Sequence, residues 1–175
     1  MWKYAVGAVF SISVLAGAQQ PKPASTLRTV LLQELRETHN QKNWFVSEKE
    51  AVAGLTPEQA AWSDGKNHSV GQLVQHLNYW NATNLARLQK HQPERTAGTN
   101  DETFTFAAKQ WQPTLKQFDQ TMDEVEAFVQ SRDEATLETI APTIALMAQH
   151  NAYHIGEMVT SRKKQGSWNP ELGVK

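Results

Sequence analysis

The sequence predicts an all-α protein in which four amphipathic helices form a bundle. Three observations support this prediction: apolar residues recur at intervals of three and four, serine and threonine N-caps precede helical patterns, and alternating strand patterns are scarce. The chain has 175 residues, a length that suits one domain with a modest core. We expect that domain at residues 26–166, followed by a C-terminal tail at residues 167–175.

The first helix is predicted from about Thr26 to Ala53, with Gly54 ending it. The segment Thr56-Pro57-Glu58-Gln59 then has the pattern of a capping box with proline at the first helical position. It predicts a short helix that leads to Trp62 and to a polar loop before Ser69.

Three further helices follow. Ser69 and Gln72 form a second capping box, so the second long helix begins after Ser69 and continues to Leu88. Residues 91–106 are polar, and the third helix is predicted most strongly over residues 113–130. The fourth helix is predicted from near Pro142 to Gln165, with Gly166 as its C-terminal stop.

The long linker between the second and third helices bears on topology. About 16 extended residues reach ~50 Å, whereas a 20-residue helix is ~30 Å long. The linker can therefore cross the whole bundle, which would let helices two and three run parallel. This is compatible with an up-down-down-up arrangement.

The N-terminus has the pattern of a secretory signal peptide. Lys3 precedes a largely apolar run from Ala5 to Leu15, and Ala16-Gly17-Ala18 supplies a small-x-small cleavage site. A membrane anchor is the alternative, but the run is shorter than the ~20 apolar residues of a spanning helix. We predict a signal peptide at residues 1–18, a polar leader at residues 19–25, and a secreted or periplasmic protein without a stable membrane anchor.

Charge and cysteine content exclude several classes of protein. The whole chain has a net charge of −1, and without Lys3 the mature chain has −2. No basic run stands out, so nucleic acid is not an expected partner. The chain has no cysteine, which excludes disulfides, thiolate metal ligands and a cysteine nucleophile.

Two histidines in the predicted fourth helix are candidate metal ligands. His150 and His154 are four residues apart, which places both rings on one face, ~6 Å apart along the helix axis. Met147, Ile155 and Met158 share that stripe, so both histidines are expected to face the core. Two imidazoles buried there without partners would cost about 1–3 kcal/mol each, and a shared metal ion would remove that cost.

His76 is the candidate for a third ligand, because it lies inside the second helix beside Leu73 and Leu77. A core histidine bonded to a carbonyl oxygen is the alternative interpretation. His39, His91 and the loop residue His68 are left outside the predicted site.

These positions also carry a resemblance to a known family. Trp62, the segment Ser69–Leu77 and the segment His150–Met158 resemble the DinB-like family of metal-binding four-helix proteins. The likeness extends over about residues 25–166, with two departures: His68 stands where the family usually has tryptophan, and Glu157 where it often has glutamine. The resemblance implies that His76, His150 and His154 are metal ligands in an up-down-down-up bundle.

Three neutral imidazoles would hold one divalent metal with an open coordination position. Zinc is the expected ion and would lower the pKa of its bound water to ~7, while nickel, iron and manganese also accept imidazole ligands. Glu157, three residues after His154, is a candidate fourth ligand, proton-transfer group or partner of a ligand. The preferred interpretation is a surface acid paired with Arg162 or Lys163.

Two classes of function follow from these predictions. The first is a metal-dependent hydrolase or transferase that acts on an unidentified small molecule. The alternative is a non-catalytic module in which the metal stabilises the bundle or captures a ligand. Whether the chain forms a homodimer stays open at this stage.

Overall fold

The computed structural model describes residues 25–173, and all regular structure within that range is helical. The predicted signal peptide and residues 19–24 of the predicted leader lie outside the described residues. The α-helices are α1 (Leu27–His39), α2 (Glu48–Val52), α3 (Pro57–Ala61), α4 (Val70–Leu88), α5 (Trp111–Ser131) and α6 (Glu134–Gln165). Short 3₁₀ helices occur at Asp101–Phe104, Ala108–Gln110 and Pro170–Leu172. The all-α prediction is confirmed.

The four long helices enclose one hydrophobic core. Helices α1 and α4 each pack against both α5 and α6. The side chains of Leu35, Leu77, Phe118 and Ile155, one from each long helix, are almost fully buried. Among the described residues, none of these helices has an apolar stretch long enough to cross a bilayer.

The two predicted capping boxes are present. The Thr56 hydroxyl accepts from the Gln59 backbone N–H, and the Gln59 side chain accepts from the Thr56 N–H. The same reciprocal pair joins Ser69 and Gln72 at the start of α4. These bonds satisfy N–H groups that have no partner inside the helix, and the second pair fixes where α4 begins, two turns before His76.

The prediction of one continuous first helix over residues 26–53 was wrong. Helix α1 ends at His39, residues 40–47 are irregular, and α2 begins at Glu48. Asn40 closes α1, and Ser47 opens α2 with a capping box of its own, completed by Glu50. Asparagine and serine bond locally to the backbone and therefore favour helix ends over helix interiors.

The predicted start of the fourth helix was also wrong. Helix α6 begins at Glu134, with the Asp133 carboxylate accepting from the Thr136 N–H, and Pro142 lies inside the helix. Proline is common at the first turn of a helix, which is why it suggested a start. The predicted end is confirmed, because Gly166 closes α6 in a left-handed conformation with φ of 78°.

The linker predicted at residues 91–106 contains structure of its own. Its 3₁₀ helix at Asp101–Phe104 packs against α4, and both Thr103 and Phe104 are buried. The linker therefore supplies two side chains to the surroundings of the predicted site.

Candidate metal centre

Helices α4 and α6 bring the three predicted histidines together. His76 comes from the second turn of α4, while His150 and His154 come from one face of α6. His76 and His154 are only 4% and 6% exposed. His76 therefore lies beside the α6 pair, and its role as a metal ligand stays a prediction.

The three Nε2 atoms converge. The Nε2 atom of His150 is 3.2 Å from that of His76 and 3.0 Å from that of His154. The ring planes meet at angles of 70°, 74° and 77°, so the imidazoles do not stack on one another. One ligand atom from each of the three lies within 4.8 Å of the other two, which makes the group a candidate metal site.

Hydrogen bonds at the opposite ring nitrogens set the tautomers of two histidines. The Nδ1 atom of His154 is 2.6 Å from a carboxylate oxygen of Glu157, and a carboxylate only accepts. The Thr103 hydroxyl donates to the Asn100 carbonyl oxygen at 2.5 Å, so it accepts from Nδ1 of His76 at 2.6 Å. Both rings therefore carry their proton on Nδ1 and present an Nε2 lone pair to the centre.

This arrangement fits a cation. The Nε2 atom of His150 can donate one hydrogen at most, so it can satisfy only one of the two lone pairs that face it from His76 and His154. At least one contact near 3 Å would otherwise have no hydrogen between its two nitrogens. A metal ion at the centre would accept all three lone pairs, and hydrogen bonds of this kind at Nδ1 are usual for metal-ligating histidines.

The electrostatic environment keeps the imidazoles neutral, the form that binds metals. Burial, with a smaller contribution from His154 and His150, lowers the pKa of His76 to about 3. Burial and the neighbouring His154 lower the pKa of His150 to about 4. Burial also lowers the pKa of His154, although the hydrogen bond that its Nδ1 donates to Glu157 acts in the opposite direction.

The family profile described as DinB superfamily matches residues 49–158. The chain belongs to the DinB superfamily. The match includes all three histidines together with Thr103 and Glu157, while α1 lies outside it. Comparisons with curated proteins and with solved structures give no match.

A stack of three rings supports His76 in this DinB domain. Phe104 lies face to face with His76, with a centroid distance of 4.0 Å, and His68 lies on the other face of Phe104 at 3.8 Å. His68 was left outside the predicted site, and the structure gives it an aromatic packing role two rings away from the centre. An aromatic ring at this position is what the resemblance led us to expect, so the change from tryptophan to histidine preserves stacking.

Glu157 does not pair with Arg162, one of the two partners that the preferred interpretation named. Its carboxylate bonds to His154, and Arg162 instead donates to the carbonyl oxygens of Ala51 and Ser167. This contact fits the other interpretation of Glu157, as the hydrogen-bond partner of the candidate ligand His154. Proton transfer by Glu157 stays a prediction.

Two of the important neighbours were missed by sequence reasoning. Thr103 and Phe104 belong to a segment that was interpreted as a polar linker, and their contacts with His76 span 27 and 28 residues. The sequence signal that could have indicated these contacts was an aromatic residue, Phe104, next to Thr103 within a polar stretch. Asn78 and Asn151, which are close to the histidines in sequence, are buried in the core, where they donate to the Thr114 carbonyl oxygen and the Met122 sulfur.

An open cleft lies over the three histidines. Its volume is about 580 Å³, and its walls include Trp80, Phe104, Leu146 and Tyr153. Leu146 and Tyr153 are 63% and 65% exposed, which is unusual for large apolar side chains. The histidines therefore face a cavity large enough for a small molecule with an apolar part.

A second group, formed by one histidine and several carboxylates, contains His39 and lies between α1 and α5. The Nε2 atom of His39 is 3.1 Å from Asp119 and its Nδ1 atom is 3.3 Å from Glu126. Arg36 donates to the same Glu126 carboxylate, and Asp123 lies within 3.9 Å of Nδ1. This group meets the distance criterion for a metal site, but its hydrogen bonds and ion pairs already join α1 to α5.

Proposed function

We propose that this DinB domain binds one divalent metal ion through the Nε2 atoms of His76, His150 and His154, and that it is a metal-dependent hydrolase or transferase. The observation that carries the proposal is the convergence of three neutral imidazoles, two of which have their Nδ1 protons held by Thr103 and Glu157. A bound divalent cation would supply Lewis acidity toward a carbonyl or phosphoryl oxygen.

The chain's own residues define the rest of the site. Glu157 and Thr103 hold two ligand rings in their orientations, and Phe104 supports the face of His76. The cleft walls Trp80, Leu146 and Tyr153 would cover the apolar part of a substrate and exclude water around it. Zinc is our preferred ion, because three imidazoles suit it and leave room for a further ligand.

Metal analysis tests this proposal directly. We expect purified protein loaded with zinc and freed of excess metal to retain one ion per chain. Removal by a chelator should lower the melting temperature, since a ligand at 1,000 times its Kd stabilises the folded state by about 4 kcal/mol. His154→Ala should weaken metal binding at least a hundredfold, whereas the exposed His91→Ala should bind like the native chain. Equal affinity in native protein and His154→Ala would overturn the proposal.

A non-catalytic module that captures a ligand is the second candidate. It is favoured by the lining of the cleft, which includes no carboxylate to act as a base, and by the bond that engages the nearby Glu157 carboxylate with His154. Hydrolysis of 4-nitrophenyl acetate by metal-loaded protein, lost in His154→Ala, would support the enzyme. Tight metal binding without turnover of carboxyl and phosphate esters would support the binding module.

We also propose the up-down-down-up topology and export of the mature chain. The packing of both α1 and α4 on α5 and α6, with a long connection between α4 and α5, supports the topology. The charge, apolar run and small residues of positions 1–18 support export. Intact-mass measurement of protein recovered from outside the cytoplasm would test cleavage after Ala18.

A further inference from the structure

A second cavity opens beside the cleft that covers the histidines. Its volume is about 720 Å³, and it lies between the C-terminal half of α4 and the loop that follows it. Three cationic side chains line it, those of Arg87, Lys90 and Arg95, and its lining contains no carboxylate. This charge is unusual in a chain whose acidic residues outnumber its basic ones.

The three cations have no partners among the described residues. The ion pairs and side-chain hydrogen bonds within residues 25–173 involve none of Arg87, Lys90 and Arg95. Their places in the last turn of α4 and just after it suit the negative end of the helix dipole, which accounts for Arg87 and Lys90. The dipole does not account for Arg95, which lies seven residues beyond the end of α4.

The basic cavity and the histidine cleft are neighbours with a shared wall. Trp80, Arg87 and Asn100 line both of them. The Trp80 indole N–H donates to the Asn100 side-chain oxygen at 3.3 Å, which ties α4 to the loop at that wall. Because these residues line both cavities, a molecule that lies in the cleft is adjacent to the basic cavity and within reach of Arg87.

Helix geometry places Arg87 at the far end of this path. Arg87 follows His76 by eleven residues, so the two positions lie on nearly the same face of α4, ~16 Å apart along its axis. Long side chains in a helix lean toward its N-terminus, and this direction brings the guanidinium group back toward the cleft. Trp80 lies between the two positions on the same face, and its ring is 6.5 Å from that of His76, centroid to centroid, at an interplanar angle of 68°.

We infer that the substrate of this site is an elongated amphiphilic anion. Its apolar or aromatic part lies in the cleft against Trp80, Leu146 and Tyr153, and its multiply charged anionic group, of the phosphate or phosphonate type, lies in the basic cavity. Arg87, Lys90 and Arg95 bind that group. The inference rests on the proposed function for its reacting centre, but the anion subsite is separate from the metal ligands and can be tested without metal.

Calorimetric titration with 2-naphthylmethylphosphonate tests this inference, because the probe has an aromatic body, a dianionic head and no hydrolysable ester. The titrations use metal-free protein, so that the phosphonate cannot bind to a metal ion. We expect saturable binding that inorganic phosphate weakens by competition. The uncharged 2-naphthalenemethanol should bind at least tenfold more weakly.

Variants locate the binding site of the probe. The triple variant Arg87→Gln, Lys90→Gln and Arg95→Gln should bind at least tenfold more weakly than the native chain and show a smaller dependence on salt. Lys116→Gln, an exposed lysine on α5 outside both cavities, is the matched control and should bind as the native chain does. All changed residues are exposed, and circular dichroism checks that the variants fold.

Two results would overturn the inference. One is equal affinity for the phosphonate in the native chain and the triple variant, and the other is equal affinity of the native chain for the phosphonate and the alcohol. If the anion binds as expected while zinc fails to bind, the metal proposal fails and the subsite stands. If zinc binds and the triple variant binds the phosphonate as the native chain does, the anion subsite fails and the metal proposal stands.

Discussion

At the scale of single residues, Glu157 is the clearest control on the candidate metal centre. Its carboxylate holds the Nδ1 proton of His154 and is 42% exposed, so it can be changed without opening a core cavity. Carboxylate partners of ligating histidines commonly account for 10- to 100-fold in metal affinity. We expect Glu157→Gln to weaken zinc binding about tenfold, because the amide oxygen still accepts the bond but carries no charge.

A competition titration with a chromophoric chelator measures this effect. Glu138→Gln provides the control, since Glu138 is an exposed acid on the same helix with no contact to the histidines. If Glu157→Gln and Glu138→Gln bind zinc equally well, Glu157 is a surface acid after all.

The residue scale also shows what sequence can and cannot predict. The spacing of His150 and His154 fixed their common face, since helix periodicity is a local property. His76 could be added because a capping box set where its helix begins. Thr103 and Phe104 could not be predicted, because their contacts depend on where a linker folds back onto α4.

Gly71 lies in the segment Ser69–Leu77 that carries the family resemblance. A Cβ at this position would lie 2.2 Å from the Phe106 ring, so the close packing of Phe106 requires glycine there.

At the scale of helices, the wrong boundaries came from residue types that occur both at helix ends and inside helices. Pro142 suggested a helix start, but Asp133 caps α6 two turns earlier. The polar segment after His39 was counted as helix, although Asn40 and Ser47 act as caps. Helix existence was thus predictable from periodicity, whereas helix boundaries depended on which local hydrogen bond prevailed.

Pro142 gives a prediction about α6 itself. It is exposed, so it contributes little packing, and its ring removes the backbone N–H that would bond to the Glu138 carbonyl oxygen. Proline is about 3 kcal/mol less favourable than alanine inside a helix. We expect Pro142→Ala to raise the free energy of unfolding by roughly 1–3 kcal/mol, measured by urea denaturation.

Thr139→Ala is a suitable comparison for Pro142→Ala. It replaces another exposed residue of the same turn and should change stability by well under 1 kcal/mol. A loss of stability in Pro142→Ala would indicate that the native helix depends on the proline, for example through a bend that positions the following histidine turn.

At the scale of the whole molecule, two sets of buried groups give stability opposite dependences on pH. The pKa values of His76 and His150 are lowered to about 3 and about 4, so metal-free protein loses stability as pH falls below the ordinary value of 6.5. Glu48 behaves in the opposite way. Burial, assisted by the charge of Asp119, raises its pKa from 4.5 to about 8.

The contribution of Glu48 to the pH dependence of stability can be measured separately above about pH 7. The unfolded chain releases this proton near pH 4.5 and the folded chain near pH 8, so stability is lost as pH rises through this window. Above about pH 7 His76 and His150 are neutral in both states, so their contribution to the slope ends there and that of Glu48 remains. One side-chain oxygen of Glu48 has no hydrogen-bond partner among the described residues, so ionisation there lacks local compensation.

We therefore expect the free energy of unfolding of chelator-treated protein to fall between about pH 7 and pH 8, by up to ~1.4 kcal/mol per pH unit. Glu48→Gln has nearly the same shape and no proton to release, so its profile should be flat over this interval and its stability higher at the alkaline end. Glu58→Gln, an exposed acid on α3, should retain the native slope. Urea titrations followed by circular dichroism give these slopes, and parallel profiles for the native chain and Glu48→Gln would mean that Glu48 is ionised in the folded state at neutral pH.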